Sequence, residues 1–249
     1  MTYLEKSRKY FFKIVQNYNL EKENILVLAN PLSAEEAIGK PGRRDYPIIE
    51  GKERILEAKF IDAKGHAFTD SAKEFSGNLQ QILELSLDSN QNRAIYTAAL
   101  NAVLNYLKIA KGTVHCKNDK PEKCAKDISK NLFEKYGKIK VGLIGLNPAI
   151  ADELIDTFGE KNVMITDLNK DNLNKKRIKI LDGHKFNQYL IESVDVVVMT
   201  GTIIVNDSFE CLLKKIISLK KDYYVFGVTA AGMCNIFNFN RLCPYGTIE

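Results

Sequence analysis

Two turns in the second half of the chain carry most of the residues that could do chemistry. The first, Gly142-Leu143-Ile144-Gly145-Leu146-Asn147-Pro148, has two glycines, an asparagine suited to capping a helix and a proline suited to the first helical position. Such a turn offers backbone N–H groups, Gly145 and Asn147 among them, to an anion. Asp167 stands 22 residues beyond Gly145, where an acid could take the hydroxyls of a ribose, or could simply face water. The spacing G-x-x-G followed by N-P lacks the G-x-G-x-x-G dinucleotide fingerprint, so a nucleotide-type ligand stays an alternative. The second turn, Met199 to Asn206, sets the hydroxyls of Thr200 and Thr202, the amide of Gly201 and the side chain of Asn206 just ahead of a helix. These groups can hold a carboxylate, a phosphate or a carbonyl oxygen, or can close the turn on its own backbone.

Sulfur and imidazole offer a different chemistry. His115-Cys116, with Cys124 eight positions on, has donors that suit soft divalent ions, but C-x7-C is not the spacing of a zinc knuckle. Cys234 and Cys243, nine apart, are the thiolate candidates for a heavy or transition metal; the competing reading packs both thiols in a core. Five cysteines, an odd number in a chain this long, read as reduced thiols, not a disulfide framework. Arg43-Arg44-Asp45 lies in a glycine- and proline-rich loop, Gly39 to Gly51, where a guanidinium such as that of Arg44 could clamp an anion. His66 and His184, each near a glycine, read as turn or surface residues.

The elements that must position these groups fall into two parts. Leu4, Phe11, Ile14, Val15 and Tyr18 share one face of a helix from Leu4 to Tyr18, Ile25 to Ala29 reads as a short strand, and Arg54 to Asp62 alternates like one arm of a hairpin returning through Gly65 to Phe68. A long run from Asn90 to Leu107 carries a wide apolar stripe and stops at Lys111-Gly112. Residues 1–112 therefore read as an α+β domain. From 113 to 249 the rhythm changes: a helix from Pro121 to about Tyr136 precedes apolar strands at Lys140–Leu146, Asn162–Asp167, Val194–Thr200 and Tyr223–Val228, with a weaker one at Ile178–Leu181. Strands apolar on both faces and separated by helices indicate an α/β, mostly parallel sheet of the Rossmann-like kind, with ligands at the carboxyl ends of its strands. The net charge of +5 over 249 residues, spread over both halves, gives no basic footprint for nucleic acid. No apolar stretch is long enough to span a bilayer and the start lacks a signal-peptide core, so no membrane partner and a cytoplasmic location are expected.

Phe226-Gly227-Val228-Thr229-Ala230-Ala231-Gly232-Met233-Cys234, then Arg241-Leu242-Cys243-Pro244-Tyr245-Gly246, together with Ala98-Ala99-Leu100-Asn101-Ala102 and the turn Thr200-Gly201-Thr202 leading to Asn206, resemble the signature of the putative heavy-metal-chelation family. The resemblance implies an N-terminal domain similar to that of enolase, a C-terminal Rossmann-like domain and a site in the cleft between them. Enolase catalysis is not implied, because its metal-binding carboxylates belong to a barrel this chain has no room for. The positions that match include Asn101, Thr200, Gly201, Thr202, Asn206, Thr229, Gly232, Arg241, Cys243, Pro244 and Gly246, while Cys234 falls where a small or apolar residue is expected. The expectation is a metal- or small-ligand-binding protein. Thr200, Gly201, Thr202 and Asn206 would line one side of the cleft, and Asn101 or the Arg43-Arg44-Asp45 loop would close it. The alternative is an enzyme on an anionic or nucleotide-like metabolite held by Gly142 to Asn147 and Asp167. No nucleophile–base pair is legible, and a homodimer is the default expectation from symmetry.

Overall fold

The computed structural model describes residues 1–28, 34–51, 53–173 and 178–247. Its first part opens with α1 (Tyr3–Asn17), β1 (Asn24–Leu28) and α2 (Ala34–Ile38). There follow β2 (Arg54–Phe60), β3 (Ala63–Thr69), β4 (Phe75–Asn78), α3 (Leu79–Glu84) and α4 (Asn90–Tyr106). A capping box between Thr2 and Glu5 starts α1, and its inner face buries Leu4, Ser7, Phe11, Ile14 and Val15. Tyr18, expected on that face, is 55% exposed because it lies past the last helical residue, and Ser7 takes an inner place by bonding the Leu4 carbonyl and the Tyr96 hydroxyl. The strands form one antiparallel sheet in the order β3-β2-β1-β4. The expected hairpin is there, with Glu57 opposite His66; Ala29, the expected end of the first strand, lies outside the described residues.

The second part contains α5 (Lys120–Tyr136), β5 (Val141–Ile144), α6 (Pro148–Phe158), β6 (Val163–Asp167), β7 (Ile180–Asp182) and α7 (Gly183–Ser193). It continues with β8 (Val196–Thr200), α8 (Phe209–Ser218), β9 (Asp222–Phe226), α9 (Ala231–Phe237) and β10 (Arg241–Leu242). All six strands run parallel in the order β10-β9-β8-β5-β6-β7. The chain winds outward from β5 in one direction, then returns and winds outward from β8 in the other, so the switch point lies between β5 and β8. Along β8, Val196 and Val198 join one apolar cluster with α5 and α6, while Val197 and Met199 join another with α7 and α8. Burial on both faces is the reason the strands are apolar throughout.

Helix α4 is the shared core of the two parts. From Arg93 to Asn105 every residue is buried, and the helix packs on β2 and β3 on one side and on α9 on the other. Gly65 permits this, since any Cβ there would run into the α4 backbone at Ala98 and Ala102. At the centre of the contact is Asn101, with no exposed surface. Its amide nitrogen donates to the carbonyls of His66 (2.9 Å), Val228 (3.1 Å) and Thr229 (3.3 Å), and its oxygen accepts from the Gly232 N–H (2.8 Å). Arg93 adds a second tie, donating from Nε to the Val205 carbonyl at 2.7 Å. A third runs from the Phe68 N–H to Thr229 Oγ1 at 3.0 Å.

Asn101→Ala leaves four buried backbone groups short of a partner, each costing about 1 kcal/mol or more, so a loss of roughly 3–4 kcal/mol is expected in denaturant unfolding. A loss below about 1 kcal/mol would show that the two parts do not depend on this amide.

Candidate functional site

The carboxyl ends of β5, β6, β8 and β9 open into a cavity of about 580 Å³ that the first part of the chain covers. From the parallel sheet come the Gly145-Leu146-Asn147 turn, Asp167 to Asn169, Asn187 on α7 and the Thr200-Gly201-Thr202 turn with Asn206. From the first part come Tyr46 to Ile48, Glu53, Phe68 and Asp70, and His115 closes the wall from the segment between α4 and α5. Apolar surface from Ile48, Phe68, Ile144 and Phe226 faces polar surface from asparagines, threonines and acids.

Seven of the residues expected to contact a ligand thus line the cavity: Gly145, Asn147, Asp167, Thr200, Gly201, Thr202 and Asn206. Their hydrogen bonds, however, are largely spent on the turns themselves. The Asn147 side chain accepts from Ala149 and Ile150, the Gly145 N–H goes to the Thr166 carbonyl, and the Leu146 N–H goes to Asp167 Oδ2 at 2.6 Å. The expected free amides at the start of α6 are therefore mostly occupied, because the capping asparagine and the β6 acid reach them first. The other oxygen of Asp167 accepts from the Asn169 N–H (2.7 Å) and the Asn172 amide (3.1 Å), so its carboxylate braces two turns before it meets any ligand. Thr200 Oγ1 takes the Thr202 N–H and hydroxyl, and Asn206 Oδ1 takes the Ser208 N–H and hydroxyl. Gly145, at φ +85, sits where a Cβ would meet the Thr200 methyl, which lets the two turns close side by side.

Four other expected residues lie elsewhere. Asn101 is walled inside the core and bonded only to backbone, so it supports the cleft without reaching it. Arg44 is exposed and does not line the cavity. Its neighbour Arg43 does the binding, with both Asp45 oxygens at 2.8 Å and Asp152 on α6 at 2.7 Å, and so pins the Gly39–Gly51 loop to the parallel sheet's helices. Cys234 is buried in α9 among core residues, and burial pushes its thiol up to about 12. Cys243, part-buried, lies near Cys116 and Cys124, whose thiols are also raised by burial and then by Cys243. Among the described residues no group of three or more His, Cys, Asp or Glu side chains is placed to hold a metal ion. The donor set as it stands does not fit the thiolate centre expected of Cys234 and Cys243.

The groups that set the charge of the cleft are ones the turns did not reveal. Burial, reinforced by Asp167 and then Asp70, pushes the Glu53 carboxyl up to about 7. The His115 ring is held neutral, pushed down to about 4 by burial and then by His66. Its Nδ1–H donates to the Cys116 carbonyl at 2.6 Å, which leaves Nε2 as an acceptor. Behind it, His66 accepts the His115 backbone N–H on Nδ1 (3.2 Å), so the proton on its Nε2 goes to Glu57 (3.1 Å). Glu57 is correspondingly held down to about 2, first by that hydrogen bond. Glu53 and Asp70 follow no spacing rule that ties them to the strand ends. His115 was visible only as a metal-ligand type beside Cys116.

Residues 127–241 match the model of a family described as "Putative heavy-metal chelation". A protein of unknown function from that family in Pyrococcus horikoshii is similar in structure, with a TM-score of 0.55 and 16% identity over 92% of this chain and 80% of that one. Another, from Desulfitobacterium hafniense DCB-2, has a TM-score of 0.51 and 16% identity over 74% of this chain and 72% of that one. At such identity the likeness speaks for the fold alone. Nothing among curated proteins matches the chain. The match takes in the Thr200–Asn206 turn and the Phe226–Cys234 motif, and from within α5 to the start of β10 the chain has the pattern of the heavy-metal-chelation family.

Proposed function

We propose that the chain binds a small organic ligand in this cleft, and that the ligand presents a cationic group to Glu53, Asp70 and Asp167. The observation behind this reading is the charge of the wall. Three acids line it, and among the described residues no lysine or arginine does. Like charges gathered in a partly dry cavity repel, and the raised Glu53 carboxyl is the mark of that repulsion added to burial. An ammonium or amidinium group would relieve it. The apolar surface of Ile48, Phe68 and Phe226 suits the carbon part of such a ligand, and a cavity of about 580 Å³ is the size of a metabolite site.

A metal ion is less well served, since the acids are not gathered about one point and the thiols lie in the core or outside the cavity lining. An anionic or nucleotide-like metabolite meets occupied amides and three carboxylates, and the lining described offers it no cation. Among the described residues no helix is long and apolar enough to cross a membrane.

Thermal-shift screening separates these ligands, because whatever binds only the folded state raises its apparent stability. Amine-bearing metabolites should raise the midpoint by a few degrees at concentrations about a hundredfold above their Kd, with the response lost in Glu53→Gln. Stabilisation by phosphorylated metabolites and none by amines would reverse the reading. Divalent and thiophilic metals form a third arm, and a saturable response to them that survives Glu53→Gln would also defeat it.

The Glu53 carboxyl gives an independent check without ligand. Its acidity is near 4.5 when unfolded and near 7 when folded, so its stabilising contribution is full below about pH 4.5 and is lost as pH rises through 7. Glu53→Gln cannot ionise. It should match the wild type near pH 4.5 and exceed it by about 1–2 kcal/mol near pH 8, allowing for water in the cleft. Urea unfolding at the two pH values measures the difference, and a variant weaker than wild type at pH 8 would contradict the acidic wall.

A further inference from the structure

His115 also borders a second hollow, of about 540 Å³, whose character is the opposite of the cleft's. Its other walls are Lys111, Gly112, Lys117, Lys120, Gly246 and Thr247. None of the three lysines takes part in an ion pair within the described chain. Two of the acids in this stretch are engaged by other residues, although the charge of Asp119 also reaches Lys120. Asp119 pairs with Lys123 at 2.6 Å, Asp127 accepts from the Tyr245 hydroxyl at 2.7 Å, and both carboxylate oxygens of Glu122 are buried.

A fourth cation lies against the same turn. Arg241 donates from Nε to the Gly227 carbonyl and from its two terminal nitrogens to the carbonyls of Lys111 and Gly112, so its charge meets three neutral oxygens and no carboxylate. Its guanidinium nitrogens sit 3.3 Å from the place a Cβ on Gly112 would occupy. Helix α5 begins at Lys120, on the rim of the hollow, with Asp119 at its N-cap making no side-chain capping bond and Glu122 in its first turn. Among the described residues, three lysines without an ion-pair partner border one concave surface, and the Arg241 guanidinium, bonded to carbonyls, lies behind its Gly112 wall. That concentration of positive charge favours an anion at the surface.

We propose that this hollow binds a small oxyanion of the phosphate class, held by Lys111, Lys117 and Lys120 as point charges and favoured by Arg241 beneath them. Arg241 is a positioning residue here: it fixes the Lys111-Gly112 turn and contributes field, and the lysines touch the ligand. Inorganic phosphate and a phosphate ester present the same group, and the two sources differ in whether anything extends beyond it. The basic hollow is distinct from the acidic cleft in both lining and charge, so it does not depend on what the cleft takes.

Isothermal titration with inorganic phosphate at fixed ionic strength tests the site, with sodium chloride as the matched control and a sugar phosphate as the ester arm. Wild type should bind phosphate saturably, and the affinity should fall at least about tenfold in the double variant Lys117→Gln/Lys120→Gln and fall again as salt is raised. Tighter binding of the ester would assign the site to a phosphorylated metabolite, and equal or weaker binding to the free oxyanion. The lysines are exposed and bear no structural bond, so the variant should unfold at the wild-type midpoint, which separates a lost site from a lost fold. A phosphate response no larger than that to chloride, or one unchanged in the double variant, would overturn the proposal.

Discussion

A buried carboxamide can be tolerated only when all of its hydrogen-bonding capacity is met, and Asn101 meets it entirely with backbone from other elements. Its partners lie on β3, on the loop after β9 and at the start of α9, so one side chain fixes the antiparallel sheet, the parallel sheet and a helix against one another. The surroundings are cut to fit. Gly232 approaches so closely that a Cβ would fall 2.9 Å from the Asn101 oxygen, and Gly65 lets β3 lie on the helix that carries Asn101. Thr229, beside two of the carbonyls that Asn101 holds, takes the Phe68 N–H. The cleft borders this weld, since Phe68 and Thr229 both line it.

This changes what the motifs mean. Asn101, Thr229, Gly232 and Arg241 belong to the stretch of sequence that carries the family resemblance, and each makes bonds between distant segments. Residues that hold two units together are as constrained as residues that hold a ligand, and a sequence pattern alone does not separate the two. The turn residues at the switch point have a mixed character. Asp167 and Asn147 face the cavity and also saturate the amides of their own turns, which shapes the surface while withdrawing donors from it.

The parallel sheet was legible because burial on both faces leaves strands apolar throughout, and the helices between them show their own periodicity. Its ligand-facing edge followed from topology, since the ends of β5, β6 and β8 must lie together once the winding is known. The other half of the cleft was not legible. Glu53, Phe68 and Asp70 flank or end strands of an antiparallel sheet, and their meeting with Asp167 depends on how two sheets dock, for which single-chain periodicity holds no signal. The arginine pair shows the same limit on a smaller scale. Arg43 and Arg44 are equivalent as sequence, and only the position of Asp152 on α6 makes the first an anchor and leaves the second in solvent.

Heavy-metal chelation, as a description, leads first to sulfur, and the fold explains why sulfur is a poor guide in this chain. Cys234 packs beside the α4 core, where thiolate formation is opposed by burial, and Cys116 is buried with its thiol raised in the same way. Negative charge that can meet a ligand resides instead in carboxylates around an open cavity. Among them Glu53 is pushed up to about 7, first by burial and then by the charges of Asp167 and Asp70. A cation arriving there would oppose that shift and release the proton, so occupancy of the cleft and the pH around it are linked through one side chain.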